Sequence, residues 1–164
     1  MGTPRRIVFL GPSLPAQLAR RLLPDGDLRP PIRRGDLDGI AAGALVGIVD
    51  GLFAQSLAIS PGEIRETIER GVTVYGAASM GALRAAEVPA VIGVGRIFEM
   101  YRSGAIERDD EVAVIINAET HAALTEPLVN VSFAVERLVR SGTISRGDGG
   151  AIVASGSSLL AWQS

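Results

Sequence analysis

The sequence predicts an α/β fold, a single Rossmann-like domain with a mainly parallel sheet covered by helices on both faces. Three observations carry this. Short β-branched runs alternate with segments of helical spacing, which implies parallel strands joined by crossover helices. Three of those runs close in Gly11-Pro12-Ser13, Asp50-Gly51 and Gly76-Ala77-Ala78-Ser79, residue types of strand-to-helix turns. The chain has 164 residues and is 47% hydrophobic, enough apolar material for one ordinary core.

Arg6–Leu10 reads as a buried strand, and Leu14–Leu23 has helical spacing, with Ser13 as N-cap and Pro15 tolerated in the first turn. Pro24 to Pro31 is a Pro-rich connection, Ile32–Asp36 a short edge strand and Asp38–Ala44 a short helix. Leu45–Val49 is a second core strand. Pro61–Arg70 is a helix with Ser60 as cap, Glu63 in the capping-box position and Gly71 as its stop. The strand Val72–Tyr75 and the helix Ser79–Glu87 follow, and Pro89 breaks the helix. Gly93–Ser103 reads as a helix stopped by Gly104, Val112–Ile116 as a strand and Pro127–Ser141 as a long amphipathic helix. Residues 1–141 thus form the domain, and 142–164 a weakly patterned tail in which Ile152–Trp162 fits either a helix or loosely packed chain.

Composition removes several classes. The formal net charge is −2 and spread along the chain, so no nucleic-acid partner is expected. All 16 basic residues are arginine, which excludes a Schiff-base lysine and a P-loop lysine. With no cysteine there is no disulfide, no thiolate metal site and no persulfide-carrying thiol. Nothing reads as a signal peptide, and no stretch approaches the roughly 20 apolar residues of a membrane span. A cytoplasmic protein with no cofactor, no metal and no membrane partner is the expectation, its oligomeric state open.

Right-handed crossovers gather the turns Gly11–Ser13, Asp50–Gly51 and Gly76–Ser79 at one rim, where open α/β sheets place their ligands. Ser79 has two readings. It is an N-cap satisfying an orphan amide, or a nucleophile at the positive end of a helix, with the Met80 and Gly81 amides as an oxyanion hole. The spacing is not a G-x-S-x-G elbow, because two residues separate Gly76 from Ser79. Arg84 and Glu87 share a helix face and can pair, or Arg84 faces an anionic ligand group. Gly11, Pro12 and Ser13 are candidates for an anion-binding turn, with Gly51 beside them. Asp109-Asp110-Glu111 is either strand-edge charge or a cluster whose mutual repulsion raises one pKa or recruits a cation.

The run Ala78-Ser79-Met80-Gly81-Ala82-Leu83-Arg84-Ala85-Ala86-Glu87 resembles the signature of the TfuA-like proteins, which accompany YcaO enzymes when a peptide backbone amide becomes a thioamide. The Ala77-Ala78-Ser79-Met80-Gly81 turn is also similar to that around the nucleophile of Clp-type serine peptidases. The family resemblance runs from Ile7 to Val135 in separated blocks: Val8–Leu14, Pro30-Pro31 with Gly35-Asp36, Asp50-Gly51 with Phe53, and Glu63-Ile64. After the serine run come Gly93–Phe98, Tyr101 with Gly104, Asp109–Val114 and Val129–Val131. In the family a histidine commonly stands two residues before the Glu-Ile pair, where this chain has Pro61. His121, the single histidine, lies outside the blocks and reads as a solvated loop residue rather than a catalytic one. Carboxylates are therefore the acid/base candidates beside Ser79: Asp50, Glu63, Asp110 and Glu111.

The resemblance implies an accessory of YcaO-dependent thioamide formation that releases or delivers sulfide from a sulfur-carrier protein ending in a thiocarboxylate. Its partners would be the YcaO enzyme and the carrier, and the peptide substrate only indirectly. Two alternatives stand beside this expectation: a non-catalytic adaptor that binds and stimulates YcaO, and an independent small-molecule or nucleotide-binding α/β enzyme.

Overall fold

A computed structural model describes residues 3–54, 57–117, 119–120 and 122–160. Five strands, β1 (Arg6–Phe9), β2 (Asp27–Arg29), β3 (Leu45–Ile48), β4 (Thr73–Ala77) and β5 (Ile92–Val94), form one sheet in the order β2-β1-β3-β4-β5. Every pairing is parallel. The predicted α/β, Rossmann-like architecture is the observed one. The helices are α1 (Ala16–Leu22), α2 (Pro61–Glu69), α3 (Met80–Glu87), α4 (Arg96–Ser103), α5 (Leu128–Arg140) and α6 (Arg146–Leu160). Growth of the sheet reverses between β1 and β3, which makes the crevice past their carboxyl ends the topological switch point.

Strand alternation explains the core. Ile7, Phe9, Val46, Ile48 and Val74 point to one face and are all buried. They pack with Ile32, Leu37 and Ile40 from the β2–β3 connection and with Ile64, Met80 and Val88 from the helices. On the other face α1 packs against β2, while Tyr75, Ile92 and Val94 toward the β5 edge are exposed. A second, smaller cluster of Ile106, Val112 and Val129 ties α5 to α4 through Ile97, Met100 and Tyr101.

Five sequence expectations need correction. The edge strand is β2, inside the stretch read as a connection. Ile32 forms only an isolated bridge to Gly51, and the chain then turns at Gly35. Asp38–Ala44 is a series of turns rather than a helix, because Gly39 and Gly43 hold φ of 70° and 81°. Gly93 belongs to β5 and not to the following helix. The Phe98 ring occupies the space a Cβ at Gly93 would take, and α4 starts only after Gly95, at φ 88°. Val112–Ile116 is not a strand: Asp109–Glu111 winds into a 3-10 turn that drops Val112 into the second cluster. Ser13 does not cap α1, whose N-cap is Pro15; its hydroxyl is used elsewhere. In the stretch read as a tail, α6 packs against α5, with Gly149 against Val135 and Val139 and Gly156 against Leu128.

The capping box of α2 is complete. Ser60 accepts from the Glu63 amide, and the Glu63 carboxylate accepts from the Ser60 amide and hydroxyl at 2.9 and 2.7 Å. Its other oxygen accepts the Gly35 amide at 2.7 Å, pinning the β2–β3 connection to α2. Burial works against ionised Glu63. The Ser60 and Gly35 amides, the Ser60 hydroxyl and the Arg34 charge outweigh it, so the carboxyl titrates below its ordinary value.

A folded pKa below the unfolded one stabilises the protein above the unfolded value, and that gain is lost as pH falls through the folded one. Glu63→Gln is therefore expected to show a smaller loss of urea midpoint than wild type between pH 7 and pH 3. Glu63→Ala should cost about 2 kcal/mol at neutral pH, read by urea denaturation, because the cap is lost and the Gly35 amide is left unpaired.

Candidate functional site

Three turns meet at the carboxyl rim of the sheet, following β1, β3 and β4. Asp50, past the end of β3, is 3% exposed. One carboxylate oxygen accepts the Gly11 and Ser13 amides at 2.7 and 3.1 Å, and the other accepts the Ser13 hydroxyl at 2.6 Å. The Gly11–Ser13 turn thus does present converging amides at the switch point, and an internal carboxylate fills them. The negative charge a bound phosphate would bring is already there.

The next turn is built by close backbone approach. A Cβ at Gly76 would lie 2.1 Å from the Gly81 carbonyl oxygen, and one at Gly81 would lie 1.8 Å from that of Ile48. Only glycines allow α3 to sit so tightly against β3 and β4. Gly51 repeats the device, since its Cβ would meet the Met80 side chain at 2.6 Å. The short step from strand to helix then forces Ala78 to φ 55°, the sole positive φ of a non-glycine residue among those described. Left-handed alanine costs about 1 kcal/mol or more.

Ser79 follows this strained residue. It occupies the N-cap position of α3, yet its side chain makes no capping bond, and it has no hydrogen-bond partner among the described residues. Its hydroxyl is not sealed in: the described residues contain no buried, unpartnered side-chain oxygen. The Gly81 amide is directed at the Val49 carbonyl at 3.5 Å, so it holds α3 to the loop after β3. That leaves the Met80 amide as the α3 donor nearest the serine.

The other predicted residues divide between this rim and structural duty. Arg84 is a tether: its side chain is 12% exposed, donates to the Ile59 carbonyl at 2.8 Å and pairs with Glu87. Glu63 is committed to the α2 cap described above. Asp110 pairs with Arg108, and Glu111 accepts the Arg108 amide at 3.4 Å. The acidic turn folds back toward α3, across a cavity of about 400 Å³ lined by Met80, Arg84, Glu87, Glu107, Arg108 and Asp109. Sequence reasoning did not single out Tyr101. Burial raises its pKa, reinforced by the negative charges of Asp109, Glu111, Glu87 and Asp110, and its hydroxyl donates to the Arg108 carbonyl at 3.3 Å. The signal for it was present in Tyr101 and Gly104, but a helix had to be phased to aim the ring. His121 lies outside the described residues.

A second cavity, about 590 Å³, opens beside Gly11 at the ends of β1 and β2, with Leu10, Pro12, Ala16, Leu28, Arg29 and Ala123 in its walls. Arg29 was also missed. It shares the Asp27 carboxylate with Arg5, at 2.9 and 2.8 Å, so two guanidiniums surround one acid. Hydrogen bonding from Arg29, opposed by burial and aided by Arg5, holds the Asp27 carboxyl below its ordinary value. Among the described residues no group of three or more His, Asp or Glu is arranged to hold a metal ion. None of their helices is long and apolar enough to cross a membrane.

A family model described as TfuA-like protein matches residues 50–162, from the buried aspartate of this rim through the serine turn to the end of α6. The chain belongs to the TfuA-like family. No curated protein matches it. The matched span contains Asp50, Ser79 and the acidic turn. The Gly11–Ser13 turn of this TfuA-like chain lies ahead of the match and is tied to it through Asp50.

Two substitutions check this geometry by thermal or urea denaturation. Asp50→Ala should cost about 2 kcal/mol, because two amides and a hydroxyl lose their acceptor together. Ala78→Gly should be neutral or stabilising by up to about 1 kcal/mol, the reverse of an ordinary alanine-to-glycine change, because it relieves the left-handed backbone.

Proposed function

We propose that this TfuA-like protein is an accessory of YcaO-dependent thioamide formation that liberates sulfide from a thiocarboxylated carrier protein, with Ser79 as the nucleophile. The observation that carries the reading is the free hydroxyl of Ser79, at the N-cap position of α3 but making no cap bond, behind a strained Ala78. A serine kept only to start a helix would use its oxygen on the helix.

The chemistry balances with the groups present. The Ser79 oxygen attacks the thiocarboxylate carbon, a carbon–oxygen bond forms, and the carbon–sulfur bond breaks. Hydrosulfide leaves with the serine proton, and water then hydrolyses the ester to a carboxylate and restores the hydroxyl. Hydrosulfide is a good leaving group, so little acid assistance is needed. The Met80 amide and the positive end of α3 favour the oxyanion. Asp50 is buried at the same rim, and through Ser13 it fixes the turn after β1. The released sulfide would then meet the amide that YcaO activates with ATP.

The adaptor reading draws on a different feature. Tyr75, Ile92 and Val94 expose an apolar strip at the β5 edge, 38%, 45% and 49% accessible, as a docking surface for YcaO would.

Incubation with a thiocarboxylated carrier separates the two readings. Sulfide release above the no-protein control, reduced at least a hundredfold in Ser79→Ala with unchanged thermal stability, is the expected outcome. Release equal to the control would refute the hydrolase and leave the adaptor. Full release by Ser79→Ala would remove Ser79 from the chemistry.

A further inference from the structure

Edge strands usually carry guards against pairing with another chain, charged side chains above all. The guards of β5 are its shortness and Pro89 just ahead of it. It is the outer strand of the sheet, and no described strand lies beyond it. From Val88 to Gly95 the sequence has no charged residue, and Ile92 and Val94 are exposed. The register sets Tyr75 beside Ile92 and Ala77 beside Val94, so the uncharged surface continues inward onto β4. The charges near this edge stand on α4. Phe98 packs down on Gly93, while Ile97, Met100 and Tyr101 face the second cluster. At roughly 100° per residue, Arg102 and Glu99 fall on the opposite flank, turned away from α3. They pair with each other while more than half exposed, and Arg102 also lies over the Phe98 ring at 5.6 Å. The edge thus presents one acid and one base above an uncharged strand.

We propose that the β5 edge is the interface of a two-fold dimer with a second copy of this chain, the two β5 strands paired antiparallel and the two α4 helices side by side. A two-fold axis normal to the sheet reverses one α4 against the other, so Glu99 of each copy comes beside Arg102 of the other. Unlike charges then meet across the axis, whereas two acids or two bases on that flank would face their own kind. The spacing fits as well. Contacts with both β4 and β5 set α4 above the gap between them, roughly 2.5 Å inside the edge strand. Doubling that and adding one strand spacing leaves roughly 10 Å between the two α4 axes, the packing distance of helices. A strand as short as β5 offers few ladder bonds, so the helix contact decides whether the copies stay together. On the other face, Tyr75 and Ile92 of both copies join into one apolar band. Because the strands run antiparallel across the axis, the two carboxyl rims point in opposite directions, and each Ser79 turn stays open. The dimer neither needs nor tests the chemistry proposed for Ser79.

Sedimentation velocity of the full-length protein over a concentration series reads the association, against a monomer of 17.1 kDa. The wild type is expected to approach twice that mass as concentration rises. Ile92→Lys sets like charges against each other at the axis and should weaken association roughly tenfold or more, with unchanged thermal unfolding. Glu99→Arg and Arg102→Glu should each weaken self-association, because the α4 flanks then face each other with like charges. Mixed in equal amounts, these two variants should recover a dimer, since one flank is wholly basic and the other wholly acidic. A variant that merely disturbed α4 would not be rescued by mixing. A wild type that stays monomeric throughout the series, even one that takes YcaO or an added peptide strand at this edge, overturns the proposal. So does a dimer unaffected by Ile92→Lys, or a mixture no more associated than its two components alone.

Discussion

The contact on which the site depends is between backbones, not side chains. Gly76 in β4 and Gly81 in α3 let the first turn of the helix settle against the carbonyl of Ile48 in β3. No other residue fits at Gly81, since its Cβ would lie 1.8 Å from an oxygen. This closeness shortens the connection from strand to helix until Ala78 is driven into the left-handed region. It also turns Ser79 so that its oxygen serves no cap. The free hydroxyl, the strain and the packing are one feature, and loosening α3 would relax all of them.

Carboxylates around the rim divide the work. Asp50 is buried and spends its oxygens on Gly11 and Ser13, joining the turns after β1 and β3 across the switch point. A doubly wound fold ordinarily keeps those amides for an anionic ligand, but here the protein supplies the anion. The turn that keeps an uncommitted hydroxyl is the neighbouring one, where Ser79 stands. Glu63 does comparable structural work one element later, holding α2 and the β2–β3 connection together. The acids without internal duty, Glu107 and Asp109, lie on the α3 side and set the sign of the field there.

The sheet was legible in the sequence where hydrophobic runs are long and bounded by turn residues, as in Arg6–Leu10, Leu45–Val49 and Val72–Tyr75. It was illegible where three residues suffice for an edge strand: β2 and β5 carry too little pattern, and Gly93 reads as a helix residue until Phe98 is seen against it. The acidic turn misled for a related reason, because the β-branched residues after it pack into a side cluster rather than a sheet. At the site, the convergence of the three turns followed from element order and crossover handedness. The capture of Ser13 by Asp50 did not, since the residues are 37 positions apart and either one reads locally as a cap or turn residue.

Serine at a helix start is so common that sequence alone favours the cap, and what changes the balance is the conjunction of costs. A left-handed alanine, a cap position whose side chain caps nothing and glycines that forbid any bulk are each unfavourable for folding. A helix of eight residues that needed only to begin could avoid all of them with an ordinary turn. Together they keep the Ser79 hydroxyl off the helix it begins, with the Met80 amide next to it. That is costly for a cap, whose oxygen would be spent on the helix, and it is what the proposed attack by Ser79 requires, since a nucleophile must hold its oxygen clear of local hydrogen bonds.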